Sequence, residues 1–425
     1  MLPPMLRTIQ WLTRQERLLR ALHPVFGAFD PFLPEHRRDP HATWRSLRAS
    51  DPVYRSRVFG AWICTRYDDV LHVLRDRSFT TDRSASPAMR LVTRMARRDP
   101  SFSALIERNL LTIDGDDHRR LRGLVSKAFT PRRIERLRPK LQAVVDDLLD
   151  RAAERGEMEV VRDLAHPLPV IAIAELLGVP AADRERFRAW STELVQLLDP
   201  FQGRGGARPM MQAAHEIFAY FRPLLAERRA HPRDDLLSAM LAAEQDGERL
   251  DELDLLSLSS LLLVAGHETT SNLIGNAVIS LLRFPDERKR LRDDPGLLGS
   301  AVDEFLRFES PIQLTDRCVV EDCEIGGKPI RRGQMVAVVL QAANRDPARF
   351  ADPDRLDLGR TDNHHLAFGQ GNHFCLGSQL AKLETELAIG SLVRRFPDFA
   401  GDPEPPAWRR SMIVRGPESL ALRLA

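Results

Sequence analysis

The chain is poor in cysteine and in net charge. Its 425 residues include four cysteines, and 62 lysines and arginines are nearly balanced by 60 aspartates and glutamates. The cysteines form no C-x-x-C pair, and Cys318 and Cys323 have no further cysteines at iron–sulfur or zinc spacing, so we interpret these two as ordinary thiols. So few cysteines in a long chain favour a reducing cytoplasm. The balanced charge gives no case for a nucleic-acid partner.

Long hydrophobic runs are also missing. No stretch approaches the ~20 apolar residues that a membrane-spanning helix needs. Residues 6–22 are amphipathic and basic but lack the apolar centre and cleavage site of a signal peptide. Two interpretations remain for this segment, contact with a membrane surface or a mobile extension. We predict an N-terminal extension over residues 1–29, a single domain over residues 30–425 and no membrane span.

Helical periodicity dominates the rest of the chain, and no repeat or low-complexity linker divides it. Strand patterns are short, with a hairpin over Val53–Tyr67 that turns at Gly60 and a strand-rich segment over Glu324–Leu340. Because strands and helices do not alternate, we predict a mainly α architecture with small β-sheets, an α+β fold. The predicted helices include Leu137–Ala153, Val170–Leu177, Arg184–Leu198, Met211–Arg229 and Leu250–Leu282.

Residues 368–377 (FGQGNHFCLG) carry the most informative pattern. Three glycines surround Cys375, and an apolar, helix-like run over Leu376–Leu387 follows. Glycine allows positive φ and a close approach to a flat ligand. A helix start favours a thiolate over a thiol, and a thiolate in such a loop suits the axial position of a haem iron. The alternative is a buried structural cysteine beside a glycine turn.

This segment resembles the haem-binding loop of the cytochrome P450 superfamily, pattern F-x-x-G-x-x-x-C-x-G. The resemblance implies that Cys375 is the proximal ligand of a haem b and that Phe368 packs against it. It also implies that Gly369 and Gly377 border the haem and that His373 bonds a propionate. The implied fold is mostly helical, with the haem buried between the cysteine loop and an oxygen-binding helix.

Residues 265–270 (AGHETT) lie midway along the predicted helix over residues 250–282. Ala265 and Thr269 share one helix face, and a hydroxyl beside a carboxylate suits a gated proton relay. The segment resembles the family's [AG]-G-x-[DE]-T-[TS] groove. That resemblance implies that Ala265 borders the haem, Thr269 bonds the bound dioxygen and Glu268 is the acid of the relay. The alternative is a helix interior whose threonines bond back to carbonyls.

Glu304 and Arg307 stand three residues apart, close enough to pair on one helix. Taken alone, such a pair is weak evidence, because surface pairs of this kind are common. The family has E-x-x-R between the oxygen-binding helix and the haem loop, and a later arginine that Arg360 matches. The resemblance therefore implies a buried structural network of these three side chains.

A second charged motif places His118 and Arg122 four residues apart. Cationic donors pair strongly with carboxylates such as haem propionates. The motif resembles the family's H-x-x-x-R propionate clamp, and Arg317 matches a third propionate-binding position. The alternative for His118 and Arg122 is a solvated basic face.

Residues 119–140 hold nine arginines or lysines against one acid, Glu135. Because no aromatic residues interleave for base stacking, we do not expect nucleic acid there. The resemblance implies that this region leads onto the proximal face, where an acidic, ferredoxin-type donor docks with electrostatic steering. We therefore expect the electrons to come from a separate ferredoxin and reductase.

The family fold implies an apolar distal cavity, lined by Leu262, Ala265, Ile312, Leu314 and Ile413. We expect an apolar or amphipathic small molecule there, such as a terpenoid, steroid, fatty acid or polyketide. Residues 199–209, rich in glycine and proline, resemble the family's mobile lid.

The predicted protein is a bacterial-type, soluble haem-thiolate monooxygenase of secondary metabolism, a cytoplasmic monomer that hydroxylates or epoxidises its substrate with dioxygen and two electrons. One alternative is a peroxide-dependent enzyme on the same fold, although such enzymes usually depart from the acid–threonine pair. The other is a haem-binding sensor or carrier without turnover, which needs neither a proton relay nor an electron donor.

Overall fold

The structure is a computed structural model that describes residues 33–57, 60–87, 90, 99–194, 207–245, 248–404 and 407–424. The predicted extension over residues 1–29 and most of the lid-like stretch over residues 199–209 lie outside these ranges. In the described part of the chain, no helix is both long enough and apolar enough to cross a bilayer.

Helices form most of the fold. They are α1 (Pro34–Arg38), α2 (Pro40–Ser50), α3 (Tyr67–Arg75), α4 (Pro100–Glu107), α5 (Gly115–Ala128), α6 (Pro131–Glu135), α7 (Arg138–Ala153), α8 (Pro167–Leu177), α9 (Arg184–Leu194), α10 (Ala207–Ala230), α11 (Leu236–Ala242), α12 (Glu252–Arg283), α13 (Pro285–Asp293), α14 (Leu298–Phe308), α15 (Leu340–Ala343) and α16 (Ser378–Arg395).

The strands are short and belong to small sheets. They are β1 (Val53–Arg55), β2 (Ala61–Cys64), β3 (Phe79–Thr80), β4 (Glu157–Glu159), β5 (Glu244–Gln245), β6 (Glu248–Arg249), β7 (Thr315–Val319), β8 (Cys323–Ile325), β9 (Lys328–Ile330), β10 (Met335–Val338), β11 (Ala400–Gly401) and β12 (Ala421–Arg423).

The largest sheet has the order β1-β2-β10-β7-β3. The predicted hairpin is confirmed, since β1 pairs antiparallel with β2 and Val53 lies opposite Cys64. The strand-rich segment is also confirmed, because β8 and β9 form a hairpin and β10 joins the main sheet between β2 and β7. The mainly α fold with small sheets is therefore as predicted.

Helix α12 is the central element of the core. It begins with a capping box, in which the Asp251 side chain accepts from the Asp254 amide and the Asp254 side chain accepts from the Asp251 amide. Its 32 residues are buried on nearly every face, because α8, α10 and α16 pack around it. The prediction of Leu250–Leu282 is close, but the cap shifts the start to Glu252.

The other predicted helices are present with altered ends. The run predicted at Val170 begins at Pro167, where proline fits the first helical turn. The helix predicted from Met211 begins at Ala207 and includes Pro223 in its interior. The run predicted over Leu376–Leu387 is α16, which begins two residues later and extends to Arg395. These differences are corrections of boundaries, and the type of each element is as predicted.

Candidate active site

Residues 368–377, named here the cysteine loop, contain a 3₁₀ turn over Gly371–His373 and lead into α16. Gly371 has a φ of +72°, and a Cβ at this position would lie 2.7 Å from the carbonyl oxygen of Leu74 in α3. Gly369 also has a positive φ, +70°. Residues that carry a side chain rarely adopt such φ values. Glycine therefore allows the loop to turn and to lie directly against the α3 backbone.

Cys375 lies at the end of this turn, and its amide donates to the Phe368 carbonyl at 2.9 Å. Burial raises the pKa of the Cys375 thiol, while the Gly377 amide and the charge of Arg122 act in the opposite direction. The helix start therefore acts in the predicted direction, because the Gly377 amide favours the thiolate, but desolvation of the sulfur acts against it and is the larger effect. A metal ion that binds the sulfur deprotonates it.

The segment 265–270 lies within α12, as predicted. The Thr269 Oγ1 donates to the Ala265 carbonyl at 2.8 Å, which is the back-bond that the alternative interpretation expected. The same hydroxyl oxygen retains acceptor capacity, and such back-bonds bend helices locally. A Cβ added at Gly266 would meet nothing within 4 Å apart from its own helix and neighbours in the described chain. This face of α12 therefore combines a hydroxyl with open space.

Glu268 is buried, with 4% of its surface exposed, and its partner comes from a distant part of the chain. Its Oε1 lies 2.8 Å from the Nη1 of Arg409. The two groups form a close ion pair, but the angles do not meet those of a hydrogen bond. Arg409 is held by its own amide, which donates to the Gly416 carbonyl at 3.0 Å. No motif in the sequence indicates this arginine.

Arg122 and His118 contact the cysteine loop, and Arg317 lies within electrostatic reach of Asp114, the partner of His373 in that loop. Arg122, on α5, donates to the Phe374 carbonyl at 2.7 Å. His118, one turn earlier, is buried, and its Nε2 has no hydrogen-bond partner among the described residues. Arg317, on β7, is 6% exposed, and burial lowers its pKa, opposed by the charges of Asp316 and Asp114. A buried guanidinium and an unpartnered imidazole favour an anionic ligand.

His373 contacts an acid that the sequence analysis missed. Its Nε2 lies 3.0 Å from Asp114 Oδ1 and its Nδ1 lies 3.1 Å from the Leu110 carbonyl oxygen, and its ring lies beside that of His118, with centroids 4.2 Å apart. Burial raises the pKa of Asp114, but hydrogen bonds from His373 and Thr81 outweigh burial and hold that pKa below its ordinary value. The predicted bond from His373 to a propionate stays a prediction, because both ring nitrogens face protein acceptors here.

These residues fit a haem. The Cys375 thiol follows a glycine turn, the unpartnered Nε2 of His118 lies beside the loop, and Arg122 and Arg317 carry positive charge of the kind that two propionates would require. The helix with the open threonine face packs against α16, which follows the cysteine. Fold and site together fit the class of cysteine-ligated haem proteins.

Comparison with known proteins agrees with this class. Residues 66–295 and 296–423 match the family model described as Cytochrome P450. The chain is 44% identical over 410 residues to "Cytochrome P450 107B1" of Saccharopolyspora erythraea, covering 94% of this chain and 98% of that protein. It is 39% identical over 399 residues to "6-deoxyerythronolide B hydroxylase" of the same organism, covering 91% and 96%.

A solved structure gives the same result. "P450BioI in complex with hexadec-9Z-enoic acid ligated Acyl Carrier Protein" superimposes with a TM-score of 0.85 and 37% identity, covering 92% of this chain and 99% of that one. The chain belongs to the cytochrome P450 family. As a member of that family it is a P450 monooxygenase, and its cofactor is haem b.

The structure brings the three members of the predicted network together. Arg307 donates from Nε and Nη2 to the two Glu304 oxygens at 2.8 Å each, and both side chains are fully buried. Arg360 Nε lies 3.2 Å from Glu304 Oε2. Carbonyls of Asn344 and Pro353 accept from the remaining Arg307 nitrogen. The buried charges are therefore paired and hydrogen-bonded, as buried ions must be.

The predicted distal residues occupy two places. Leu262 and Ala265 are half-buried on α12 and lie three residues apart on one face. Ile312 bridges to Val414 across an isolated pairing, and Leu314 and Ile413 pack in a cluster around Trp44. Their contact with a substrate stays a prediction.

The basic stretch over residues 119–140 is less positive than its composition indicates. Most of its charged groups are held in ion pairs, which the count of basic residues does not reveal. The pairs include Arg120 with Asp254, Arg133 and Arg136 with Asp234, Arg138 with Glu135 and Glu386, and Lys140 with Glu175.

Proposed function

We propose that the chain hydroxylates or epoxidises an apolar or amphipathic small molecule, using dioxygen and two electrons from a separate ferredoxin and reductase. The observation that carries this proposal is the acid–threonine pair, the buried Glu268 beside the half-buried Thr269, on a helix that packs against the element after Cys375. Cysteine-ligated haem supplies the cleavage of dioxygen. We place the reaction in the cytoplasm.

The roles proposed for the side chains follow from their contacts. Glu268 holds a proton-transfer position, because it is buried and its Arg409 partner lies beside it without an aligned hydrogen bond. Thr269 presents a hydroxyl oxygen that accepts from a bound group while its proton is held by the Ala265 carbonyl. His118, Arg122 and Arg317 anchor the propionates.

The substrate class rests on the half-buried apolar side chains of Leu262 and Ala265 and on similar proteins whose names include 6-deoxyerythronolide B and hexadec-9Z-enoic acid. An apolar cavity with few polar groups selects by shape and hydrophobic area. The proposal therefore favours a large, mostly apolar molecule over a small charged one.

An acidic electron donor is proposed to dock beside α6 and α16. A groove of about 370 Å³ lies between these helices, and its lining includes Arg132, Arg138 and Lys382. Because Glu135 and Glu386 already neutralise part of this charge, we expect steering to be modest and to weaken as salt increases.

Of the two alternative functions, a haem carrier without turnover agrees less well with the residues of the site. It needs no buried acid beside a threonine, and both are present here. A peroxide-dependent enzyme usually lacks that pair.

The proposal predicts that Cys375→Ser abolishes the thiolate-type carbonyl spectrum of the reduced protein. A serine oxygen cannot replace the sulfur as a strong donor to iron. Cys323→Ser, at a half-buried position on the separate β8–β9 hairpin, is the control and should keep the spectrum. An unchanged spectrum in Cys375→Ser would contradict the whole scheme.

Optical titration of the ferric protein tests the substrate class. We expect 6-deoxyerythronolide B, hexadec-9Z-enoic acid, or a terpenoid or steroid of similar size to shift the Soret band toward the high-spin form, saturably, because an apolar ligand displaces water from the site. Product analysis by mass spectrometry with a ferredoxin and reductase then shows one added oxygen. Binding without any oxygenated product would favour the carrier.

A further inference from the structure

A buried histidine pair lies beside Glu268. His267 is wholly buried, its Nε2 lies 3.0 Å from the Nδ1 of His166, and its Nδ1 lies 3.0 Å from the Ser191 Oγ. The two rings are nearly perpendicular, with centroids 4.2 Å apart. Three groups from α12, α9 and the start of α8 therefore form one hydrogen-bonded chain.

Glu268 lies at the junction between this chain and the threonine face. Successive side chains on a helix are turned by about 100°, so His267 and Thr269 point to different sides with Glu268 between them. A carboxylate oxygen of Glu268 and one ring nitrogen of each histidine all lie within 4.8 Å of one another. One water molecule spans such a gap when it bonds both sides.

Both histidines are neutral near pH 7. Burial, followed by the charges of Arg409 and Arg188, lowers the pKa of His166 to about 4, and burial holds the pKa of His267 well below its ordinary value. A neutral imidazole has one donor nitrogen and one acceptor nitrogen. Each ring is therefore able to take up a proton on one side while it releases one from the other.

The pair also has an end that reaches toward solvent. His166 is partly exposed, whereas His267 is not. His166 directly follows a π-helical turn, Val161–Ala165. Such turns are rare in proteins overall, but many of those that occur lie at functional sites.

We propose that His166 and His267 form a proton-supply branch that reprotonates Glu268 from solvent, an inference that rests on the proposed function. After Glu268 gives its proton to the Thr269 side, solvent water protonates His166 as the N–H shared by the two imidazoles passes its proton to the Glu268 carboxylate, so both rings stay neutral overall. The net change is one proton moved inward, and no electrons are transferred.

The same three groups also have the spacing of a metal site. The Arg409 guanidinium, 2.8 Å from Glu268 Oε1, disfavours a second cation there, and its charge already opposes protonation of both histidines. A proton branch therefore fits the electrostatics better than a metal ion does.

The first test is His166→Gln in the haem-loaded protein. Glutamine keeps a hydrogen-bonding group but cannot pass a proton. With electrons supplied by a surrogate ferredoxin and reductase, we expect dioxygen consumption to fall by about tenfold and the solvent isotope effect to increase. His364→Gln, on an exposed loop, is the matched control and should change neither quantity. Wild-type rate and isotope effect in His166→Gln would overturn the proposal.

The second test does not depend on turnover. In the reduced carbonyl protein, which is diamagnetic, ¹⁵N spectra of labelled histidines should show His166 and His267 as neutral at pH 7, with one N–H bonded to the other ring's nitrogen. A doubly protonated ring, or stoichiometric Zn²⁺ binding that shifts both histidines, would contradict a proton branch. Failure of the proposed function is distinguishable, because the wild type itself would then lack the thiolate-type carbonyl spectrum or dioxygen uptake.

Discussion

At the scale of single residues, Thr269 illustrates how one side chain has a structural bond and a proposed chemical role together. Its hydroxyl donates a hydrogen bond to the Ala265 carbonyl at 2.8 Å. Thr385 makes the same bond to the Ala381 carbonyl at 2.7 Å, on α16. Both threonines make the same kind of hydrogen bond within their own helix. Comparing the alanine variants of the two therefore separates the effect on helix structure from the effect on chemistry.

We predict that Thr269→Ala keeps consuming reductant but diverts most of the oxygen to hydrogen peroxide, because the hydroxyl that orders proton delivery is lost. Thr385→Ala should leave the peroxide fraction at the wild-type value. Peroxide and reductant are measured together during turnover. A wild-type yield of oxygenated product from Thr269→Ala would remove the role assigned to it.

The buried Glu304–Arg307 ion pair is the clearest case of side chains that stabilise the folded protein. We predict that Arg307→Ala lowers the free energy of unfolding by about 3–5 kcal/mol, because Glu304 would stay buried without its charge partner. Arg188→Ala removes an exposed pair with Glu185 at the same spacing and should cost less than about 1 kcal/mol. Urea denaturation of both variants tests the contrast, and equal losses would contradict it.

At the scale of elements, the cysteine loop depends on its contact with α3. The carbonyl of Leu74 occupies the space that a side chain at residue 371 would need. Backbone, unlike a flexible side chain, does not move aside without cost. The position of the sulfur is therefore coupled to a helix that is remote from it in sequence.

We predict that Gly371→Ala lowers the free energy of unfolding by more than about 1 kcal/mol and reduces haem retention, because both the positive φ and the contact oppose a Cβ. Gly299→Ala, at an α14 position where a Cβ meets nothing within 4 Å, should be neutral or stabilising. Thermal unfolding and haem content of the purified variants provide the measurement. Normal haem retention and stability in Gly371→Ala would show that the loop relaxes.

At the scale of the whole molecule, buried neutral histidines connect stability to pH. Burial, followed by the charge of Arg415, lowers the pKa of His36 to about 3. Burial, followed by the charge of Arg345, lowers the pKa of His41 to about 4. In the unfolded chain a histidine has a pKa of about 6.5. Between these values the unfolded state binds more protons, so stability increases with pH.

We therefore predict that stability is lost as pH falls from about 6.5 toward 4, by roughly 1 kcal/mol per pH unit for each of the two histidines. Urea midpoints at pH 7 and pH 5 measure this slope. His36→Gln should reduce this slope by the contribution of one histidine, whereas His364→Gln, at an exposed position, should leave it unchanged. A stability that is flat over this range would show that these rings take up protons without unfolding.

Much of the fold was predictable because its signals are local. Helix α12 follows from apolar periodicity, the β1–β2 hairpin from a strand pattern around Gly60, and α16 from the apolar run after Cys375. Boundaries were less accurate, because caps such as that of Asp251 depend on side-chain hydrogen bonds.

The sequence by itself determined the site's motifs, since the cysteine loop and the AGHETT segment are each contiguous in the chain. Tertiary structure alone decided their partners. Arg409 beside Glu268, Asp114 beside His373 and His166 beside His267 are joined across more than a hundred residues each, and no local pattern indicates such contacts. Burial likewise raises the pKa of the Cys375 thiol through tertiary packing, because desolvation depends on everything packed around the sulfur.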